Sequence, residues 1–145
     1  MKKTLLATIL SLAAFAASAA DVSLATVYDY KADRAGARVG VDVGKGWLKP
    51  EVSATFYGGQ SARLAAGASA EVYKFNQVTF STALNGEYVN ATNGPNGYAW
   101  VGALRASYPL QKNFTLRAGL ERTWAQDRIK WAQGNQATLG VSYTF

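Results

Sequence analysis

Nine ionisable side chains hold most of the chemistry this sequence offers: Asp29, Arg38, Asp42, Glu51, Glu71, Glu87, Arg105, Arg117 and Glu121. Carboxylates and guanidiniums can do two kinds of work, proton transfer between neighbouring acids and ion pairing between acid and base. Asp29, Glu87 and Glu121 are the acids that could approach one another, so carboxylate-only catalysis is conceivable there. Such acids are more often ion-paired structural groups. The 145 residues contain no His and no Cys. That removes a Ser-His-Asp triad, a histidine base, histidine-containing metal sites, thiol nucleophiles and disulfides. No metal or cofactor is expected.

The positions of these nine charges depend on the elements that carry them. Lys2 and Lys3 precede an apolar stretch over 5–16 and then Ala17-Ser18-Ala19, the pattern of a cleavable export signal over 1–19. Losing Lys2 and Lys3 lowers the formal charge from 15 − 9 = +6 to 13 − 9 = +4. That excess is too small to propose a nucleic-acid partner. The remainder, 20–145, has no linker, repeat or low-complexity tract and reads as one domain.

From Asp21 onward the apolar residues recur with period two, and no segment sustains a helical stripe. Eight strands are expected near 22–30, 35–44, 47–57, 63–73, 78–89, 98–109, 114–124 and 136–145, separated by Gly, Asn, Asp, Lys or Pro turn signals. Alternate side chains of a strand face opposite sides of a sheet. One parity set is apolar almost throughout: Leu24, Val39, Val52, Leu64, Leu84, Leu104, Leu120 and Leu139 are typical members, and Arg122 alone interrupts it. The nine charges fall on the other set, among Ser, Thr, Gly and Asn.

Two closed barrels show such alternation. A soluble one places the apolar set inside, whereas a membrane barrel turns it to lipid and keeps the charges in the lumen. Phe114 and Trp124 bracket the apolar set of one strand ten residues apart. At about 3.3 Å per residue and a tilt of about 40° they span roughly 25 Å of membrane normal. Tyr28, Tyr30, Phe56, Tyr88 and Trp100 would join Trp124 in one aromatic girdle, with Trp47, Phe80, Tyr108, Tyr143 and Phe145 beside Phe114 in the other. Mid-strand positions are mostly Ala, Val, Gly and Leu, too small for the interior of a soluble barrel. The expected fold is all-β, an eight-stranded antiparallel up-and-down transmembrane β-barrel.

The C-terminal run Leu139-Gly140-Val141-Ser142-Tyr143-Thr144-Phe145 resembles the sorting signal of Gram-negative outer-membrane proteins. With eight strands and an export signal, the chain resembles the small barrels of the OmpA/OmpX type. The resemblance implies residence in the bacterial outer membrane as a monomer. It also implies recognition by the barrel-assembly machinery, carried here by Leu139, Val141, Tyr143 and Phe145. With both termini periplasmic, the connections near 45–46, 74–77 and 111–113 lie in the periplasm, and 31–34, 58–62, 91–97 and 126–135 lie outside. None of the outer connections is long enough to build an adhesive domain.

Three functional classes remain. Lipid-modifying barrels that look like this use a His beside a Ser at the outer rim, and this chain has no His. Eight strands leave an interior that side chains can fill, so arginines against acids favour a plugged lumen and a structural or interaction role. A narrow cation-favouring pore is the alternative. In the plug, Arg105 and Arg117 would be shared among Asp42, Glu51 and Glu71, with Asp29, Arg38, Glu87 and Glu121 higher. Arg122, together with Arg34, Arg63, Arg128 and Lys130 near the same rim, is a candidate site for lipopolysaccharide phosphates. Either Arg122 snorkels from the lipid face to a headgroup, or a local bulge turns it into the lumen.

Overall fold

The computed structural model describes residues 20–44, 46–59 and 61–145. The export signal expected over 1–19 and Lys45, in the connection between the second and third expected strands, lie outside the described residues. Eight strands follow one another: β1 (Ala20–Asp29), β2 (Arg34–Val43), β3 (Leu48–Tyr57), β4 (Ser61–Phe75), β5 (Val78–Ala91), β6 (Gly97–Gln111), β7 (Phe114–Ala125) and β8 (Gly134–Thr144). Each pairs antiparallel with the next, and β8 returns to β1 to close the barrel. Tight turns sit where the sequence offers residues that tolerate positive φ, such as Asn76 (φ 52°) between β4 and β5.

The register fixes the shape. From Phe114 the pairing runs through Tyr143, Val22, Val41, Val52, Ala66, Gly86 and Trp100 back to β7 at Trp124. One circuit therefore climbs 124 − 114 = 10 residues. With strands about 4.8 Å apart, a stagger of this size over eight strands requires a tilt of about 40°. So narrow a cylinder leaves little room inside. Gly67 and Gly140 face the lumen where a Cβ would lie 2.2 Å from the Leu84 carbonyl oxygen and 2.4 Å from that of Leu24.

Burial is inverted relative to a soluble protein. Leu24, Leu84, Leu104 and Leu120 are all at least 60% exposed on the outer wall, while Asp29, Glu51, Arg63, Glu87 and Glu121 are buried within. Only a solvent that accepts leucine and rejects charge suits that arrangement, which selects the lipid-facing barrel over the soluble one. Ring contacts gather at the two ends of the apolar band. Tyr28 with Tyr30 and Tyr88 with Tyr98 lie at the loop end, and Phe114 with Tyr143 and Tyr143 with Phe145 at the end bearing the termini.

Two local features depart from a plain alternation. A bulge at Val72 breaks the β4 register between Glu71 and Tyr73, so the strand continues to Phe75 with Tyr73 packed on Phe80, ring centroids 6.2 Å apart. The connection after β7 forms a 3₁₀ segment, Asp127–Ala132, where an irregular loop was expected. This segment folds back over the barrel mouth. Its Ile129 and Ala132 are buried in an apolar cluster with the lumen-facing Val89 and Ala99.

Candidate functional site

The charged set lies in the lumen and is organised in three tiers by the strands that carry it. In the tier nearest the termini, Arg117 on β7 donates to Asp42 on β2 at 2.5 Å and reaches Asp21 on β1 at 3.4 Å. Thr144 adds a hydroxyl to Asp21 at 2.6 Å. In the middle tier, Arg105 on β6 places its fork on Glu51 of β3 at 2.6 and 2.9 Å. It also lies 3.6 Å from Glu121 of β7. Glu121 accepts from Arg38 on β2 at 2.5 Å, and Asn85 donates to Glu51 at 2.6 Å.

The third tier lies below the loop-end mouth. Arg63 on β4 sits between Glu87 (3.3 Å) and Asp29 (3.4 Å), and Arg34 reaches the same Asp29 at 3.5 Å. Both guanidiniums stack on the Tyr57 ring, at 4.3 Å for Arg34 and 5.0 Å for Arg63. The other Asp29 oxygen accepts the backbone N–H groups of Lys31 and Ala32 and so ties this tier to the β1–β2 turn. Arg63 is only 1% exposed, so its two carboxylates do the work that water does for a surface arginine.

These pairs run across the barrel rather than along its wall. Between the lower and middle tiers lies a cavity of about 50 Å³, lined by Arg38, Asp42, Glu51, Arg105, Arg117 and Glu121. A water molecule's share of liquid volume is about 30 Å³, so the cavity has room for one or two waters. A polar vestibule of about 360 Å³ opens beneath, at the end bearing the termini. At the other end the 3₁₀ segment and its apolar cluster cover the lumen.

Several expected positions are corrected. Glu71 takes no part in the arginine network. Still in register with Ser81, it faces the vestibule and pairs with Lys49 at 3.2 Å. Arg34 and Arg63 point into the lumen, not to lipid headgroups, because they share the parity of Arg38 and Glu87 at the strand ends. Arg122 stays on the outer wall. Its partners Gly102 and Asn135 lie in unbroken register, no bulge turns it inward, and it donates to the Asn135 side-chain oxygen at 2.8 Å. Arg128 and Lys130 are exposed on the 3₁₀ segment. Leu139, Val141, Tyr143 and Phe145 project outward from the end of β8, alternating with the buried Ser142.

Asp21 and Tyr57 belong to the lumen as well and were not expected there. Carrying the parity rule one residue past each strand end would have placed Arg34 inside. No periodicity marks Ile129, which acts through the tertiary position of its loop.

No protein-family model matches the chain, and no curated protein does. Among solved structures it is similar to the N-terminal β-barrel domain of Pseudomonas aeruginosa OprF, with a TM-score of 0.75 at 12% identity, over 88% of this chain and 97% of that one. It is similar to a de novo designed transmembrane β-barrel (TM-score 0.62, 12% identity, 88% and 95%). It also resembles Neisserial surface protein A (TM-score 0.56, 15% identity, 88% and 95%). The chain has the fold of the small outer-membrane β-barrels. A designed barrel shares that fold, so the fold by itself assigns no activity.

Proposed function

We propose that the chain is an integral protein of the bacterial outer membrane with a structural or interaction role, and that its lumen is closed to ions. The observation that carries this reading is the cross-barrel pairing: Arg117 to Asp42, Arg105 to Glu51 and Arg38 to Glu121 each connect strands that are not neighbours in the sheet. Charges locked in this way leave no continuous aqueous path, and the exposed leucines of the outer wall hold the barrel in lipid. The reading calls for no cofactor and for a monomer among lipids.

Planar-bilayer recording of the purified protein tests it. The wild type is expected to give no steady current, and Arg105→Ala to give a cation-selective leak through the gap between Glu51 and Glu121. A steady wild-type current that Arg105→Ala leaves unchanged would replace this reading with that of a narrow cation-favouring pore. That second reading draws support from the vestibule and from the lumen charge, since five arginines face six acids in the three tiers.

Assembly by the barrel machinery belongs to the same proposal. Phe145 lies one residue past the end of β8 and rests edge-on against Tyr143, so no strand pairing depends on its side chain. Deleting Phe145 is therefore expected to lower the surface yield in cells more than Leu116→Ala does, while both proteins refold equally well in detergent. Equal yields in cells would remove the recognition role.

A further inference from the structure

Arg122 is the one charge within the apolar band of the outer wall among the described residues. It sits two residues below Trp124, which at this tilt is about 5 Å beneath the girdle. A cation there is out of place unless something anionic meets it. Its pairing partner Gly102 offers no side chain, and Trp124 leans over it so closely that a Cβ would lie 3.0 Å from the indole ring. The indole takes the place of the missing side chain, and beside it lies a hollow of about 590 Å³ bordered by Leu104, Leu120 and Trp124, with Arg122 on its rim.

A second hollow, of about 400 Å³, continues from the first above Arg122. The two share Tyr30, Arg122 and Asn135. The upper one adds Lys31, whose ammonium spends one proton on the Lys130 carbonyl 3.1 Å away. No carboxylate lines the upper hollow, and Glu121, which borders the lower one, directs its carboxylate inward to Arg38. The nearby Asp33 is engaged by the Tyr28 hydroxyl. Apolar groove below and unneutralised cations above form the outline of an amphiphile at the depth where a lipid headgroup begins.

We propose that this surface seats one membrane lipid with an anionic phosphomonoester headgroup, its phosphate on Arg122 and Lys31, with no choline to neutralise it, and an acyl chain along Leu104 and Leu120. Arginine's planar fork suits a phosphate, and Asn135 holds the guanidinium from the side. The seat lies on the outside of the barrel and does not depend on whether the lumen conducts.

The test uses the full chain without its export signal, with Trp47, Trp100 and Trp131 replaced by Phe so that Trp124 alone reports. The protein is placed in phosphatidylcholine nanodiscs containing a minor fraction of acyl-brominated phosphatidic acid or, separately, acyl-brominated phosphatidylcholine. Bromine quenches indole only at contact range. Quenching of Trp124 is expected to be several-fold stronger with the phosphatidic acid, and Arg122→Gln should bring the two lipids level while leaving a heat-modifiable, folded barrel. Equal quenching of the parent protein by the two lipids, or a preference that survives Arg122→Gln, would overturn the seat.

Discussion

Arg63→Ala is expected to destabilise the barrel by roughly 3 to 5 kcal/mol, the cost of leaving a buried charge without its partner. Among the described residues Arg63 is the only cation paired with Glu87, and both are almost wholly removed from solvent. Asp29 loses one arginine but keeps Arg34, so the orphaned charge is Glu87. Urea unfolding in lipid vesicles, followed by tryptophan emission, measures the effect. Adding Glu87→Gln should recover most of the loss, because a neutral amide needs no counter-charge. A shift below about 1 kcal/mol, the range of exposed ion pairs, would mean that water reaches this tier freely.

Ile129→Asp is expected to release the 3₁₀ segment without unfolding the strands. The native side chain is fully buried against Val89 and Ala99, and truncating a buried isoleucine alone costs about 2 to 5 kcal/mol. A carboxylate there has no cation within the apolar cluster and is better placed in water. The segment carries Arg128 and Lys130, so trypsin reports its opening. Cleavage requires local unfolding of the backbone, and its rate follows the opened population. Each 1.4 kcal/mol is tenfold, so the variant should be cut at least about tenfold faster at these two sites while the barrel core stays protected. Equal cleavage of variant and wild type would show that Ile129 does not hold the segment down.

The strands were legible because a membrane barrel writes its fold with period two. No strand end lies more than two residues from its expected place. The lipid-facing set was read from Leu and aromatic positions, and it is the set the structure exposes. What escaped the sequence depends on contacts that parity does not encode. The Val72 bulge adds one residue and nothing in Glu71-Val72-Tyr73 announces it; Glu71, still in register with Ser81, lies low enough in the vestibule to take Lys49 instead of an arginine. Arg34 and Arg63 stand at strand ends, where a lumen position and a rim position are one residue apart. Val27, Val89 and Val101 belong to the polar parity yet are buried, because the upper lumen is partly apolar and receives Ile129. Which acid each arginine takes depends on the ten-residue stagger, which brings distant strands to one height.

The seam between β1 and β8 bears on how the chain is built. Thr26 donates to the Leu139 carbonyl across 113 residues of sequence, and Thr144 to Asp21 across 123. Every other strand pair can form as a local hairpin, but this one waits for the last residues to be made. Until it forms, β1 and β8 each present a row of unpaired amides and carbonyls, and in hydrocarbon each costs several kcal/mol. Insertion one strand at a time would carry that penalty throughout. Ring closure is therefore expected to be the slow step of folding, and a lesion in either terminal strand should stall the chain at the same stage.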